Sequence, residues 1–543
     1  MNKEALQQRP ADGAPLQTDL LATAQGWQLQ LAQLPLWLRS LLLLLAGLLN
    51  TLAFAPYQQH WLPVLTLAIL ALLLHSSGSA RQAAWLGFCY GLGWFGLGIS
   101  WVHVSIATFG GMPLLASLSI MALLVAYLSL FPALASYLTR RLAPTTGTFA
   151  LLLACSWVLA ENLRSWLFTG FPWLSLGYSQ TEAYLAPFAP LIGETGITLL
   201  LVLAAASVVP LLHRRWLAGL WIWPLLLLSP LLSTFNGWQY RGQDVSVALV
   251  QGNIRQELRW APEQELPTMT KYLQLTKPHL NRRLIIWPEA AIPQLEPLAQ
   301  AYLINLDLQA AEQGSAIVTG ILDYKRNGDA YNGMVVLGQH QHKASQGDYR
   351  YESSNRYQKH HLLPIGEFVP FERWLRDVAP FFDLPNSSFA RGGWQQPNLQ
   401  ANGLHLLAAL CFEIVFPRQI QANFTDQTDF LLTVSNDAWF GDSIGPQQHM
   451  QIAQMRALEF GRPLLRATNN GVTGIARPDG RLQAVLPQFT DGVLTAEVSL
   501  SQGRTLYSKT GDTLLLWLVA LVLAFQLLWP RLFPASATTL QRD

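Results

Sequence analysis

The sequence predicts a polytopic α-helical membrane domain joined to an α/β domain, and three observations lead to this class. Hydrophobic residues make up 51% of the 543 residues and charged residues only 13%, against roughly 25% charged in soluble domains. The apolar excess is concentrated before residue 235 and in one segment near the carboxyl terminus. Between them, short β-rich runs alternate with helical ones, which is typical of α/β layers.

The chain divides into four parts. Residues 1–35 are polar and are expected to form a cytoplasmic tail, and residues 36–235 hold seven apolar segments. Each segment is long enough to span roughly 30 Å of hydrocarbon. Residues 240–505 form the α/β domain, and residues 510–531 an eighth span. The seven predicted spans lie at 38–56, 60–75, 83–105, 112–138, 147–166, 191–212 and 216–234.

The basic residues predict the orientation of the spans, because cytoplasmic loops carry an excess of Lys and Arg. Among the short outer loops only Arg164 stands out. With the tail inside, the inner loops and the last tail hold Arg81, Arg140, Arg141, Arg214, Arg215, Arg531 and Arg542. The α/β domain is therefore expected on the outer side.

Residues 161–190 do not span cleanly, since they hold Glu161, Arg164 and Glu182 among many aromatic residues. Aromatic rings favour the headgroup level, which predicts a re-entrant or interfacial segment. An ordinary loop packed between helices is the alternative.

The overall charge and the cysteines exclude two classes of protein. A net charge of +2 gives no case for nucleic-acid binding. Cys89, Cys155 and Cys411 cannot all pair, and the first two lie in apolar segments, so no disulfide framework is expected.

Cys411 is the first candidate for chemistry. The stretch GLHLLAALCFEIVFP predicts a buried strand that ends at Cys411, a turn at Phe412 and Glu413, and a helix from Pro417. A thiol there lies at the rim of a sheet, where open α/β sheets place their chemistry. A small buried hydrophobe is the alternative for a lone cysteine in an apolar strand.

Two further residues complete a possible catalytic set. Glu289 follows the apolar strand LIIWP and can act as a general base if it is partly buried. Lys359 lies in RYQKHHLLPIGEFVP, where Glu367 can pair with it. A solvated loop acid and a surface lysine are the respective alternatives. His360 and His361 point apart on a strand, and no other His/Cys cluster has ligand spacing, so no metal and no cofactor are expected.

Together these residues suit acyl transfer. The thiolate of Cys411 attacks a carbonyl, and Glu289 removes the thiol proton and returns it to the leaving group. The ammonium of Lys359 and a backbone N–H, that of Phe412, hold the oxyanion.

Several motifs resemble a known family. WPEAA, the lysine of KHHLLPIGEFVPFE, and LCFE resemble the Glu-Lys-Cys signature of the nitrilase superfamily. The flanking spans, GEFVPFERW and TVSNDAWFG narrow the resemblance to the apolipoprotein N-acyltransferases of the bacterial inner membrane. The resemblance covers nearly the whole chain apart from the first 35 residues.

The resemblance implies a role for each matching residue. Glu289 would be the base, Lys359 the oxyanion lysine and Cys411 the nucleophile, with Glu367 and Glu413 as supporting acids. The family often has Tyr after the nucleophile; this chain has Phe412 there, which lacks the hydroxyl group but keeps the backbone N–H.

The resemblance also implies a fold and a reaction. The family fold is an αββα sandwich on eight transmembrane helices, with the catalytic domain on the periplasmic side. The reaction moves an acyl chain from a phospholipid, typically phosphatidylethanolamine, through a Cys thioester in a ping-pong sequence. The acceptor is the α-amino group of the diacylglyceryl-modified first cysteine of a lipoprotein, and the step is the last of lipoprotein maturation. A monomer is expected, since no extra interface motif suggests assembly.

Two aromatic segments are candidates for binding lipid. Residues 366–394 hold aromatic side chains among charges and prolines, which predicts membrane-dipping loops that admit acyl chains, with Phe368 and Trp374 as substrate-binding residues. A second arm runs from Ile254 to Met269, with Trp260 at its middle. Packing of these rings on the domain's own core is the alternative.

Two other functions stay open. A membrane-anchored amidase of the same superfamily would act on a soluble amide, and the aromatic loops argue against it. A channel or transporter with an outer sensing domain would need ionisable groups in its spans. The spans contain few, chiefly Glu161 and Glu194, which argues against this function.

Overall fold

The structure is a computed structural model. It describes residues 20–109, 111–143, 145–325, 327–342, 346–364, 366–368 and 389–532.

The first part of the chain is helical. Its α-helices are α1 (Leu20–Gln33), α2 (Leu36–Asn50), α3 (Leu62–His75), α4 (Ala80–Gly98), α5 (Trp101–Val104), α6 (Leu114–Leu142), α7 (Thr146–Arg164), α8 (Ala189–Ala206), α9 (Val208–Leu212), α10 (Trp216–Leu220), α11 (Ile222–Leu227) and α12 (Ser229–Leu232). Small residues let these helices approach closely. A Cβ added to Gly91 of α4 would lie 2.8 Å from the Cα of Ser129 in α6.

Fewer helices than predicted meet the length and hydropathy of a membrane span. Within the described residues, four are long and apolar enough, or up to six if each of two bent pairs counts as one span. One such pair bends by 52° between α4 and the helical segment that starts at Trp101. The predicted spans at 60–75 and 510–531 fall on shorter apolar helices, Leu62–His75 and Thr513–Leu528. Hydropathy detects an apolar run, but it does not show where the helix within that run bends or ends.

The rest of the chain forms two six-stranded sheets. The strands are β1 (Trp238–Gln251), β2 (Leu284–Ile286), β3 (Ala316–Tyr324), β4 (Ala330–Gly338), β5 (Arg356–Gln358), β6 (Leu399–Ala401), β7 (Leu404–Leu410), β8 (Phe430–Ser435), β9 (Leu464–Thr468), β10 (Gly474–Ala476), β11 (Leu482–Val485) and β12 (Gly492–Gly503). The first sheet has the order β12-β1-β2-β3-β4-β5 and the second the order β11-β10-β9-β8-β7-β6. Parallel pairing is confined to β1-β2-β3 and β7-β8-β9 among the described strands. The helices of this part are α13 (Pro262–Thr276), α14 (Gln300–Glu312), α15 (Pro417–Asn423), α16 (Gly445–Phe460), α17 (Leu506–Thr510) and α18 (Thr513–Leu532).

Alternate residues of each strand enter different cores, as the period of two in a strand requires. Val247 and Ile286 of the first sheet share one buried cluster with Leu406 and Leu432 of the second, so the two sheets lie face to face.

The outer faces of the sheets are covered by helices. Ile285 on the outer face of the first sheet packs with Met269 of α13 and Leu303 of α14. Leu407 of the second sheet packs with Ile452 of α16 in a cluster that continues into the first helices. The layers are therefore helix, sheet, sheet and helix, which is the αββα sandwich that the resemblance implies.

Helix α16 joins the sandwich to the first helices. Its Gln448 side-chain oxygen accepts hydrogen bonds from Trp173 Nε1 at 2.7 Å and Trp101 Nε1 at 3.2 Å, and Glu459 Oε1 accepts from the backbone N–H of Glu194 at 2.8 Å. Trp173 is buried in this junction. In residues 161–190 the central turns are therefore buried within the protein, whereas the ring of Phe168 is exposed.

Candidate active site

The candidate residues gather at one edge of the sandwich, because each follows the end of a strand. Cys411 follows β7 directly, Glu289 lies three residues after β2, and Lys359 follows β5. The carboxyl ends of parallel strands meet at the same edge, which is where the sequence predicted the chemistry.

Lys359 lies between two carboxylates. Its Nζ is 2.8 Å from both Glu367 oxygens and 3.6 Å from Glu289 Oε1. The lysine side chain is buried. Burial alone would lower the pKa of Lys359, but Glu367 and then Glu289 outweigh it and hold this pKa above its ordinary value. The ammonium is therefore a permanent positive charge in the site.

Asn332 of β4 positions both carboxylates. Its amide nitrogen donates to Glu289 Oε1 at 2.8 Å and to Glu367 Oε1 at 2.9 Å, which uses both of its hydrogens. Glu289 Oε2 accepts from the backbone N–H of Asn436 at 2.9 Å. The Glu289 carboxylate is thus fixed by one neighbour from each sheet.

Cys411 has an unusual backbone conformation, with φ at +51°. Non-glycine residues in this region are strained and cluster at functional sites. Its Sγ is 3.2 Å from the hydroxyl of Ser435, the residue before Asn436, which brings the thiol beside the contact that holds Glu289. Burial first, and then Glu289, raises the pKa of the Cys411 thiol to about 12, while Lys359 opposes the shift. The resting thiol is therefore neutral and needs a base.

Glu413 ties the turn after the nucleophile to the segment that carries Lys359. Its Oε1 accepts from the backbone N–H groups of His360 at 2.8 Å and His361 at 2.9 Å, and its Oε2 accepts from the hydroxyl of Tyr357 and the N–H of Leu410, both at 2.8 Å. The side chain is fully buried. Both carboxylate oxygens of Glu413 therefore accept hydrogen bonds from the protein, so this side chain positions the site and does not present an oxygen to substrate.

Phe412, the residue after the nucleophile, links the site to the first helices. Its ring stacks on Trp173 with centroids 6.3 Å apart and an interplanar angle of 13°. Its N–H belongs to the first turn of a short helix, Cys411–Val415, where backbone donors have no intrahelical partner.

The structure describes two of the three predicted substrate-binding residues, Trp260 and Phe368. Trp260 is 45% exposed, and the neighbouring Arg259 donates to the carbonyls of Glu289 and Ala290, the latter at 2.9 Å. The arm that carries Trp260 is therefore attached to the Glu289 turn. Phe368 adjoins Glu367 and lies under the guanidinium of Arg391, 5.3 Å from its ring centre. Trp374 lies outside the described residues.

A second buried group beside the thiol was not among the predicted site residues. Asp437 Oδ1 accepts from the Ser435 hydroxyl at 2.5 Å, and Asp437 Oδ2 accepts from Arg466 Nη2 at 2.8 Å. His449 Nε2 lies 3.0 Å from the Cys411 carbonyl oxygen. A sequence signal exists for Ser435 and Asp437, because Ser435 is the last residue of β8 and Asp437 follows two residues later, at the same edge as Cys411. Arg466 and His449 lie inside regular elements and give no such signal.

The two adjacent histidines have different partners, but they follow β5 and do not lie on a strand as predicted. His360 Nδ1 contacts the carbonyl of Gly392 at 2.7 Å, and the ring of His361 stacks on Phe416 with centroids 3.6 Å apart. In the part of the chain that the structure describes, no group of three or more His, Cys, Asp or Glu residues is arranged to hold a metal ion.

Two family models match the chain. Residues 246–507 match the carbon-nitrogen hydrolase family, and residues 46–207 match the apolipoprotein N-acyltransferase N-terminal domain. The sandwich with its cysteine therefore belongs to the carbon-nitrogen hydrolase class of proteins.

Similar proteins narrow this class. The chain is 48% identical over 488 residues to the apolipoprotein N-acyltransferase of Vibrio vulnificus, covering 88% of this chain and 94% of that one. It is 42% identical over 532 residues to that of Azotobacter vinelandii, covering 94% of this chain and 99% of that one. The chain belongs to the apolipoprotein N-acyltransferase family, which confirms the resemblance. The solved structure of Saccharomyces cerevisiae Nit3, a member of branch 10 of the nitrilase superfamily, has a TM-score of 0.35 and 14% identity over 50% of this chain and 94% of that one.

Proposed function

We propose that this protein transfers an acyl chain from a phospholipid to the α-amino group of a diacylglyceryl-modified N-terminal cysteine of lipoproteins. The acyl chain passes through a thioester on Cys411, and phosphatidylethanolamine is the donor that we expect. The observation that best supports this function is the buried ammonium of Lys359 between Glu289 and Glu367, beside a thiol that needs a base.

In the first step Glu289 removes the thiol proton, and the sulfur attacks the ester carbonyl carbon of the phospholipid. A C–S bond forms, and the carbonyl electron pair moves to oxygen, where Lys359 and the Phe412 N–H stabilise it. The oxyanion then collapses, the ester C–O bond breaks, and Glu289 returns the proton to the leaving alcohol. A lysophospholipid leaves and the acyl-enzyme remains.

In the second step the α-amino group of the lipoprotein attacks the thioester carbonyl. An α-amino group has a pKa near 7.7–8.0, so a fair fraction is neutral at pH 7. A C–N bond forms, the C–S bond breaks, and the amine proton passes through Glu289 to the Cys411 sulfur. The enzyme returns to its starting state, as a ping-pong sequence requires.

The surroundings of the thiol suit a reaction that must exclude water. Phe412, Trp173 and Phe440 form a buried aromatic group beside it, with the rings of Trp173 and Phe440 6.2 Å apart. Exclusion of water protects a thioester from hydrolysis. Trp260, Phe368 and Trp374 are the residues that we propose to contact the acyl chains.

The finer arrangement is also part of this proposal. The chain would cross a bacterial inner membrane eight times and hold its catalytic domain, residues 240–505, on the periplasmic side. Residues 1–35 would form the cytoplasmic tail, residues 36–235 seven spans and residues 510–531 the eighth. The protein would work as a monomer, without a cofactor.

Intact-mass measurement of the purified full chain, incubated with phosphatidylethanolamine vesicles, tests the function. We expect the protein to gain the mass of one acyl chain at Cys411, with release of lysophospholipid. Cys155→Ala is the matched control and should keep the adduct, because Cys155 is buried in α7. Full acyl transfer by Cys411→Ala, or release of ammonia from small amides with no acyl adduct, would reject the proposal.

A further inference from the structure

The peptide bond that links Cys411 to Phe412 has two ends with different partners. A trans peptide is planar, and its C=O and N–H point in opposite directions. A contact that fixes the Cys411 carbonyl therefore also fixes the direction of the Phe412 N–H. That N–H makes no hydrogen bond to any part of the chain that the structure describes.

His449 of α16 holds the carbonyl end of this peptide. Its Nε2 lies 3.0 Å from the Cys411 carbonyl oxygen. A carbonyl oxygen only accepts, so the histidine must donate through an Nε2–H. The His449 side chain is 1% exposed, so water does not compete for this hydrogen bond.

The other ring nitrogen of His449 shows which tautomer is present. Nδ1 lies 3.0 Å from Nη2 of Arg466, and a guanidinium only donates, so Nδ1 accepts. A neutral ring with its proton on Nε2 satisfies both contacts. Asp437 Oδ1 also faces Nδ1, at 3.5 Å, and would favour a charged ring. Burial and then Arg466 nevertheless lower the pKa of His449, in agreement with the neutral ring.

The same buried group holds the thiol end of Cys411. Arg466 is paired with Asp437, which also accepts from the Ser435 hydroxyl beside Cys411 Sγ. The nucleophile and its carbonyl are therefore both held from one side by Asp437, Arg466 and His449. Such support is what a residue at φ +51° needs in order to keep its strained conformation.

We infer that His449 is a positioning residue for the oxyanion site: its Nε2–H holds and polarises the Cys411–Phe412 peptide so that the Phe412 N–H is presented to the developing oxyanion. This inference rests on the proposed function, because that function supplies the oxyanion. A role in packing alone, against the rings of Trp173 and Phe440, is the competing explanation.

Two reactions at the same thiol separate these explanations. Acylation by phosphatidylethanolamine vesicles passes through an oxyanion. Alkylation by iodoacetamide forms a C–S bond, breaks a C–I bond and releases the thiol proton, with no oxyanion. His449→Leu should slow acylation about 10- to 100-fold, less than the 10²–10³ seen when an oxyanion donor is itself removed. The rate of alkylation should stay within about twofold of wild type, because no oxyanion donor takes part in it.

Conservative variants complete the test. His449→Gln keeps an amide N–H at a similar reach and should recover most of the acylation rate, whereas the shorter side chain of His449→Asn should not. If His449→Leu fails to fold, the Gln and Asn pair decides by itself. Equal loss in both reactions, or no difference between Gln and Asn, overturns the inference. Absence of an acyl adduct on the wild-type protein overturns the proposed function, whereas a normal acylation rate in His449→Leu overturns only this inference.

Discussion

Each sheet contributes one buried acid–base pair to the candidate site, and the two pairs differ in how their charges balance. The pair of the first sheet is Lys359 with Glu367, and Glu289 lies beside it as a second carboxylate. The pair of the second sheet is Arg466 with Asp437, both fully buried, and it is balanced one to one. The first group thus has one carboxylate more than it needs to balance the lysine, and that carboxylate is available for proton transfer. In the second group the single carboxylate balances the arginine.

The difference suggests a division of labour. Lys359 already has Glu367, so Glu289 can gain and lose a proton without leaving the ammonium unpaired. Asp437 is a poor proton acceptor. Burial would raise its pKa, but Arg466 outweighs burial and holds the pKa of Asp437 below its ordinary value. We therefore propose that proton transfer belongs to the group of the first sheet, and rigidity around the nucleophile to the group of the second.

The largest expected effect comes from removing the proton acceptor. Glu289→Gln should slow acylation of Cys411 by roughly 10³-fold, because Glu289 is the base that we propose for the neutral thiol and general acid–base catalysis contributes about 10²–10⁴-fold. Single-turnover mass spectrometry with phosphatidylethanolamine vesicles measures the rate. Glu312→Gln, an exposed acid of α14, is the control and should acylate normally. A rate for Glu289→Gln within tenfold of wild type would show that another group takes the proton.

A stability effect should come from the second sheet. Asp437→Asn leaves Arg466 buried without its partner, which costs about 3–5 kcal/mol when a buried ion pair is broken from one side. Denaturant or thermal unfolding of the purified protein measures this loss.

Glu367→Gln is the matched variant on the first sheet. Lys359 keeps Glu289 at 3.6 Å, so the loss of stability should be smaller than that of Asp437→Asn. Its acylation rate should also fall, because Glu289 then becomes the ion-pair partner of Lys359. Equal loss of stability in the two variants would contradict the division of labour between the sheets.

The pH dependence of alkylation tests the electrostatics of the thiol. Burial and the nearby carboxylates disfavour the thiolate, and the pKa of Cys411 is raised to about 12. The thiolate fraction therefore stays below that of an ordinary thiol and rises about tenfold per pH unit up to that pKa. The rate of iodoacetamide reaction should still climb above pH 9, where free cysteine in the same buffer levels off. A plateau below pH 9 would mean that Lys359 dominates the field at the sulfur.

The sequence predicted the groups that follow strand ends, and missed those that meet across the fold. Cys411 and Glu289 stand out because each is a reactive residue at the end of an apolar run, and Lys359 because it follows a polar run and precedes an apolar one. The bridge from Asn332 to two carboxylates and the contact from His449 to Cys411 join residues 35 or more positions apart. Neither residue breaks the local pattern of its strand or helix, so no periodicity marks it.

The membrane helices show the same limit. In the α/β domain, the helix predicted from Pro417 is present as Pro417–Asn423, because a proline at the start of a helix is a local signal. Hydropathy does not determine the number of spans, since a bend such as the one after α4 depends on packing against other helices. Eight crossings therefore belong to the proposed function, whereas four to six follow from length and composition.

The smallest expected effect concerns the arm that carries Trp260, which is attached to the first sheet through Arg259 and the carbonyl of Ala290. If the ring contacts acyl chains, Trp260→Ala should raise KM for phosphatidylethanolamine by about 3- to 10-fold, as loss of about 0.7–1.4 kcal/mol of apolar contact would. The value of kcat should change little, because the Glu289 carboxylate keeps its contacts to Asn332 and Asn436. Steady-state kinetics with mixed micelles separates the two constants. A fall in kcat with unchanged KM would instead make the arm a support for the Glu289 turn, and would extend the proton-transfer group of the first sheet to include Arg259.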